Sequence, residues 1–159
     1  MRKLLATGSI AALALAILAV TATAAGKPIA FVGKYTGTAV TKQSDTTLAI
    51  TASGTGSGTL IGAGKVAGVG TGDTSQQPCI PFTGTGSLTG KTGTIAFKVN
   101  PGATSCGDEG GHTFAFTGKA AVLKATGKLA KAKGTLKLTG TYDHDSGAFT
   151  VKFSGSLVK

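Results

Sequence analysis

The stretch Phe82-Thr-Gly-Thr-Gly-Ser-Leu-Thr-Gly90 alternates polar residues with a second set in which three of the five members are glycine. Alternation with a period of two predicts a β-strand that turns one face toward a core. Because most positions on that face have no side chain, this strand cannot fill a core by itself. The missing volume must come from residues that lie opposite it on a neighbouring strand.

The same alternation runs through the chain after its first 25 residues, whereas no segment there has convincing helical periodicity. One face of each predicted strand is apolar, and the opposite face consists mostly of Thr, Ser and Lys. The chain is therefore predicted to be all-β. Read at every second residue, the apolar faces are Phe31–Ala39, Leu48–Gly54, Phe82–Gly90, Ile95–Val99, Phe114–Val122, Leu136–Tyr142 and Phe149–Leu157.

Two pairs of strands can be folded into hairpins that place large residues opposite glycines. A two-residue turn at Gly90-Lys91 pairs Phe82 with Val99, Gly84 with Phe97, Gly86 with Ile95 and Leu88 with Gly93. A four-residue loop over His144–Gly147 pairs Tyr142 with Phe149, Gly140 with Val151, Leu138 with Phe153, Leu136 with Gly155 and Gly134 with Leu157. An aromatic side chain that covers a cross-strand glycine shields the bare backbone and fixes the register.

A glycine within a strand costs about 0.5–1 kcal/mol relative to alanine, so its repeated use needs a structural reason. Inward glycines let strands coil tightly and let backbones approach, as the corners of small closed barrels require. We therefore predict a small antiparallel β-barrel of about eight strands, with a two-sheet sandwich as the alternative. The glycine-rich segment 54–73 fits either a strand pair with a turn near Ala63-Gly64 or a flexible crossing, and the pattern does not decide between them.

The chain begins with Met1-Arg-Lys3, an apolar run from Leu4 to Val20 and a small-residue Ala22-x-Ala24 site. This arrangement predicts a secretory signal peptide over 1–25, followed by one domain over 26–159 that is secreted or held in the cell envelope. The alternative is an uncleaved membrane anchor.

Cleavage removes two of the 16 basic residues and leaves 14 lysines against six acidic residues, a net charge of +8 without any arginine. Specific nucleic-acid readers depend on arginine, so the charge indicates a solubility feature, with an anionic envelope polymer as the candidate partner.

Cys79 and Cys106 are the two cysteines of the chain. In a secreted protein an even pair predicts a disulfide, here at the open end of the 82–99 hairpin, where it ties a strand to the loop 100–112.

Candidate catalytic residues are scarce. Asp108, Glu109 and His112 lie together in a glycine-rich loop and are the best candidates if the protein is an enzyme. The other acid–histidine group, in Tyr142–Gly147, has the composition of a hairpin loop. Gly62-Ala-Gly-Lys-Val-Ala67 has the glycine spacing of a dinucleotide site but no helix after it, so we expect no cofactor. The two carboxylates and the histidine of Tyr142–Gly147 are a candidate for a weak metal site, but a hairpin loop needs the same Asp, Ser and Gly, so we expect no metal.

Six lysines follow one another in a segment without an acid, and they form a candidate basic patch for a polyanion, or simply a solvated strand face. They are Lys119, Lys124, Lys128, Lys131, Lys133 and Lys137.

The segment Ala125-Thr-Gly-Lys-Leu-Ala-Lys-Ala-Lys-Gly-Thr-Leu-Lys-Leu-Thr-Gly140 resembles the glycine-rich signature of allene oxide cyclase and dirigent-like proteins. Gly127, Ala132 and Gly134 match in spacing, whereas Leu129 replaces an aromatic residue and Ala125 replaces the first glycine. The resemblance implies an eight-stranded antiparallel barrel with an apolar cavity. The catalytic acids of those families have no counterpart that can be matched here. We therefore expect a non-catalytic binding or cell-surface module that takes a small apolar ligand or an anionic envelope polymer. The alternative is a cyclase-type or dirigent-type enzyme.

Overall fold

A computed structural model describes residues 26–159, so the predicted signal peptide lies outside the described residues. The described chain forms eight strands and one short 3-10 turn over Gly127–Leu129. The strands are β1 (Pro28–Ser44), β2 (Thr47–Gly58), β3 (Gly62–Asp73), β4 (Cys79–Gly90), β5 (Gly93–Gly107), β6 (Thr113–Ala125), β7 (Lys133–Asp143) and β8 (Ala148–Val158). No helix in this part of the chain has the length and apolarity needed to cross a membrane.

Each strand pairs antiparallel with the next, and β8 pairs with β1, so the sheet closes into an eight-stranded barrel. The all-β barrel predicted from the sequence is confirmed, and the sandwich alternative is wrong. We call the end that carries the β1–β2, β3–β4, β5–β6 and β7–β8 connections the mouth. The opposite end, with the β2–β3, β4–β5 and β6–β7 connections, is the closed end.

The apolar face of each strand points into the barrel, but the barrel is packed solid only toward its closed end. Ile61 from the β2–β3 turn and Leu129 from the 3-10 turn are both fully buried there and plug the end. Their neighbours in this core are the other largest fully buried side chains: Phe31, Tyr35, Leu88, Ile95, Leu136 and Leu157. The Tyr35 hydroxyl has no hydrogen-bond partner within the described chain, and its burial raises the pKa of the tyrosine.

The register predicted for the C-terminal hairpin is confirmed at every pair. In β7 and β8, Tyr142 lies opposite Phe149, Leu138 opposite Phe153 and Gly134 opposite Leu157. The connecting turn is held by the Asp143 carboxylate, which accepts hydrogen bonds from the backbone N–H and the hydroxyl of Ser146 at 2.8 and 2.7 Å.

The register predicted for the β4–β5 hairpin is wrong by two residues. The turn is Lys91-Thr92, so Gly86 lies opposite Phe97 and Leu88 opposite Ile95. Gly90 does not have the positive φ that the predicted turn required. A shift of two residues keeps every apolar side chain inside, and it pairs two fully buried residues, Leu88 and Ile95. Phe97 still covers a glycine on the neighbouring strand, but that glycine is Gly86 and not the predicted Gly84.

Two connections also differ from the sequence-based expectation. Segment 54–73 is a strand pair, but its turn lies at Thr59–Ile61 and not near Ala63-Gly64, because the strands β2 and β3 pair without a break from Gly58 to Thr47. The expected loop over 100–112 is shorter, since β5 continues to Gly107 and only Asp108–His112 connects it to β6. The disulfide is confirmed: Cys79 and Cys106 lie opposite each other on β4 and β5 at the mouth.

Candidate functional site: an apolar lumen open at the mouth

The mouth half of the barrel encloses a cavity of about 260 Å³, which we call the lumen. All eight strands contribute to its lining. The main inward-facing lining residues are Ala39, Leu48, Ile50, Ala52, Val66, Gly68, Gly70, Ile80, Phe82, Gly84, Phe97, Val99, Phe114, Phe116, Leu138, Tyr142, Phe149, Val151 and Phe153. The lining is apolar almost throughout, and in this described set no residue is Asp or Glu. The chemistry of the lumen therefore suits an uncharged ligand.

Paired glycines form one side of the lumen. Gly68 lies opposite Gly86, and Gly70 lies opposite Gly84, across β3 and β4. Here glycine faces glycine, so this part of the wall has no side chains of its own, and Gly86 is covered by the ring of Phe97 from β5. A Cβ atom added at Gly68 would have only the Thr85 carbonyl oxygen, at 3.3 Å, and the Gly86 Cα, at 3.9 Å, close to it. A side chain at Gly68 would therefore extend into the lumen.

Aromatic rings form the floor and part of the rim of the lumen. On the floor, Phe97 and Phe153 contact each other with ring centroids 5.1 Å apart. At the rim, the rings of Phe114, Tyr142 and His144 lie in mutual contact, each pair of centroids 6.4 Å apart. These rim side chains are half-buried or exposed, so the lumen is open to solvent at the mouth.

The sequence-predicted catalytic candidates lie at the mouth but do not line the lumen. Asp108 binds its own loop: its carboxylate accepts hydrogen bonds from the backbone N–H groups of His112 at 2.9 Å and Thr113 at 3.2 Å. Partial desolvation opposes ionisation of Asp108, but the N–H groups of Thr113 and His112 outweigh it and lower its pKa. Glu109 is exposed in the same loop. The three residues thus shape a connection, and the structure does not bring them together around a substrate-sized space.

His112 instead joins two loops of the mouth. Its Nδ1 lies 2.8 Å from a carboxylate oxygen of Asp145 in the β7–β8 loop, and its backbone carbonyl accepts a hydrogen bond of 2.8 Å from the N–H of His144. The hydrogen bond and charge of Asp145 raise the pKa of His112 above the ordinary value of 6.5. Both side chains are about two-thirds exposed, so the pair holds the loops together only weakly.

We expect Asp145→Asn to lower the pKa of His112 toward its ordinary value. A pKa that is raised on folding gives stability that is fully present below the unfolded pKa and is lost as the pH rises through the folded pKa. The contribution of this pair should therefore be fully present below the ordinary pKa of 6.5 and be lost as the pH rises above it, through the raised pKa of the folded protein. Histidine ring shifts in NMR titrations of the two proteins measure the effect. An unchanged His112 midpoint in the variant would show that Asp145 is not its partner in solution.

The predicted basic patch is divided by the fold into two places. Lys119 and Lys137 lie directly opposite each other on the outer wall of β6 and β7. The other four lysines lie at the closed end, at the end of β6, in the β6–β7 connection and at the start of β7: Lys124, Lys128, Lys131 and Lys133. All six side chains are exposed.

The residues of the lumen were not singled out as a site by the sequence, although the inward alternation placed most of them on the apolar face. The sequence pattern places His144 in a hairpin loop. His144 follows Tyr142 by two residues, and in an extended strand such residues point to the same side. This spacing could have indicated that the His144 ring lies on the inward face. The glycine pairs could not be recognised without the register between β3 and β4.

Within residues 26–159, no group of three or more His, Cys, Asp or Glu side chains is placed to hold a metal ion. No protein-family model and no curated protein matches the chain. The barrel and its lumen are therefore the basis for any functional assignment.

Proposed function

We propose that this protein is a secreted, non-catalytic binding protein that holds a small apolar ligand in the lumen of its barrel. The lumen carries the proposal. A volume of about 260 Å³ is slightly below the roughly 300–1,000 Å³ range of sites for drug-sized molecules. The ligand is thus a compact, mostly uncharged molecule.

The energetics favour this assignment over an empty structural barrel. Apolar side chains such as Phe82, Phe116 and Leu48 remain only half-buried around the lumen, whereas the closed half of the same barrel is packed solid. Each square ångström of apolar surface that a ligand removes from water contributes about 25 cal/mol, before the cost of association is subtracted. The glycine wall supports the proposal because Gly68 leaves space beside the lumen that a side chain there could fill.

The rival function is an enzyme of the cyclase or dirigent type, which would need an ionisable group beside its substrate. The lining residues include no carboxylate, and His144 at the rim is the one histidine among them. Asp108, Glu109 and His112 lie in a loop outside the lining. These positions favour binding without catalysis.

The test is titration with N-phenyl-1-naphthylamine, an uncharged probe that fluoresces in apolar surroundings, added to the protein secreted from the full-length sequence. We expect saturable binding of one probe per chain, with a Kd on the order of 10 µM for a molecule of this size. Gly68→Leu should weaken binding by at least about tenfold, because the new side chain occupies the lumen and overpacks the bound state.

The matched control is Thr71→Leu, which adds the same side chain on the outward, exposed face of β3. It should bind the probe as the unmodified protein does. Both variants are first shown to keep the β-sheet circular dichroism spectrum. Equal probe affinity in the folded Gly68→Leu variant and in the unmodified protein would place the probe outside the lumen and exclude the proposed function.

A further inference from the structure

The charges of the barrel are separated along its axis. All six acidic residues lie at the mouth, at strand ends or in mouth loops: Asp45, Asp73, Asp108, Glu109, Asp143 and Asp145. Lys42, on the β1 strand, is the lysine nearest to them in the strand ladder. The opposite end carries no acidic residue in the described chain.

The closed end carries seven exposed lysines, which we call the end cluster. Its members are Lys27, Lys91, Lys124, Lys128, Lys131, Lys133 and Lys159. The described chain contains no ion pair that involves a lysine. The end cluster therefore has its full charge available to an outside partner, and the acidic mouth makes attraction to an anionic surface strongly directional.

Large apolar side chains protrude among these lysines. Leu60 at the β2–β3 turn, Leu123 near the end of β6 and Val158 at the end of β8 are 39%, 63% and 40% exposed. Val158 lies in the strand ladder directly beside Lys133. A hydrophilic polymer offers nothing to exposed leucine and valine, whereas a lipid surface takes both the apolar side chains and the lysines around them.

We propose that the closed end docks on an anionic lipid bilayer, with Leu60, Leu123 and Val158 entering the headgroup region and the mouth facing away from the membrane. Lysine without arginine suits this partner, since attraction to anionic headgroups needs charge and no forked hydrogen bonding. The sequence that precedes the described residues joins the barrel at this same end, through Lys27 and Pro28. The proposal rests on a surface separate from the lumen and does not depend on the lumen's ligand.

The first test is cosedimentation of the secreted protein with vesicles of phosphatidylglycerol and phosphatidylcholine. A lysine near an anionic bilayer contributes about fivefold to binding. We therefore expect the end variant, Lys91, Lys124, Lys128 and Lys133 each changed to Gln, to lose about 100-fold or more in affinity. Lys131 is left unchanged because its φ of 67° lies in the left-handed region. Binding should also weaken with added salt.

The matched control removes the same charge from the wall. The wall variant changes Lys34, Lys119, Lys137 and Lys152 to Gln; these face each other in pairs on the outside of β1, β8, β7 and β6. It should lose no more than about fivefold, the share of a single lysine. Equal losses in the two folded variants would overturn docking through the closed end. Binding to soluble polyphosphate without binding to vesicles would assign the end cluster to a polymer and overturn the proposal.

The second test measures orientation and uses the absence of tryptophan from the chain. Leu123→Trp places a fluorophore at the closed end, and Val40→Trp places one at a position of similar exposure, 61%, on the mouth half of β1. On phosphatidylglycerol vesicles, only the first should shift to shorter wavelength and be quenched by a lipid-attached quencher. A blue shift and quenching of the Val40→Trp protein, with none for Leu123→Trp, would reverse the proposed orientation and overturn it.

Discussion

Gly140→Ala is expected to destabilise the barrel by about 3 kcal/mol, at the upper end of the usual cost of overpacking. Gly140 lies on the inward face of β7, where an added Cβ atom would overlap both the Thr150 carbonyl oxygen of β8 and the ring of Phe116 on β6. Its φ is not positive, so the alanine backbone itself is allowed and the clash alone causes the loss. Urea unfolding followed by circular dichroism measures the change.

Gly68→Ala is the matched control for this prediction. It is the same substitution on an inward strand face, but its Cβ atom meets no atom closer than the Thr85 carbonyl oxygen at 3.3 Å. The strand should gain about 0.5–1 kcal/mol from the lower flexibility of alanine, offset by a small local adjustment. We expect the free energy of unfolding to change by less than about 1 kcal/mol. If Gly140→Ala were as mild as Gly68→Ala, the close approach of β7 and β8 would not exist in solution.

The contrast between these two glycines also shows what the sequence could reveal. The C-terminal hairpin was predicted correctly because large residues and glycines alternate there in only one complementary way, with Tyr142 opposite Phe149 and Leu138 opposite Phe153. The β4–β5 hairpin has glycines at 84, 86, 90 and 93, so a shift of two residues gives an almost equally complementary ladder. Alternation fixes which side chains point inward, but it does not fix their partners when several glycines are present.

The lumen shows the limit of the sequence more clearly. In the predicted hairpins glycine was expected to face a large residue, which leads to a filled interior. Across β3 and β4 the opposite holds, since Gly68 faces Gly86 and Gly70 faces Gly84. That arrangement depends on the position of the β2–β3 turn, which is set by Thr59–Ile61 and by the burial of Ile61 against distant parts of the chain. Long-range packing therefore decides whether glycine makes a tight contact or an open wall.

The separation of acidic and basic residues along the barrel axis could not be predicted from the sequence either. The sequence showed a net excess of lysine, and the predicted patch joined six lysines that follow one another along the chain. The closed barrel separates Lys119 and Lys137 on the wall from their four companions and brings Lys91 to the same end as those four. The acidic residues gather at the mouth because turns with Asp at strand ends recur at that end, as in Asp73 with Ser75 and Asp143 with Ser146. The preference of these turns for Asp thus places the negative charges of the whole barrel at one end.

Replacing both Cys79 and Cys106 with serine is expected to lower the free energy of unfolding by about 3.5 kcal/mol, and the melting temperature by about 10–15 °C. The disulfide closes a loop with a sequence separation of 27 residues between neighbouring strands at the mouth. Its loss enlarges the conformational freedom of the unfolded chain. Neither cysteine lines the lumen, so the probe affinity of the folded double variant should stay close to that of the unmodified protein.

Reduction of the unmodified protein provides the control for the disulfide. Dithiothreitol should lower its melting temperature to that of the double variant, and it should not affect the variant itself, since the described chain has no other cysteine. The cysteines lie three residues from the register shift of the β4–β5 ladder between Phe82 and Gly84. Stability that is unchanged after both thiols have been shown to be free would mean that the mouth is held by the ladder and its loops, and that the cross-link contributes nothing to the barrel.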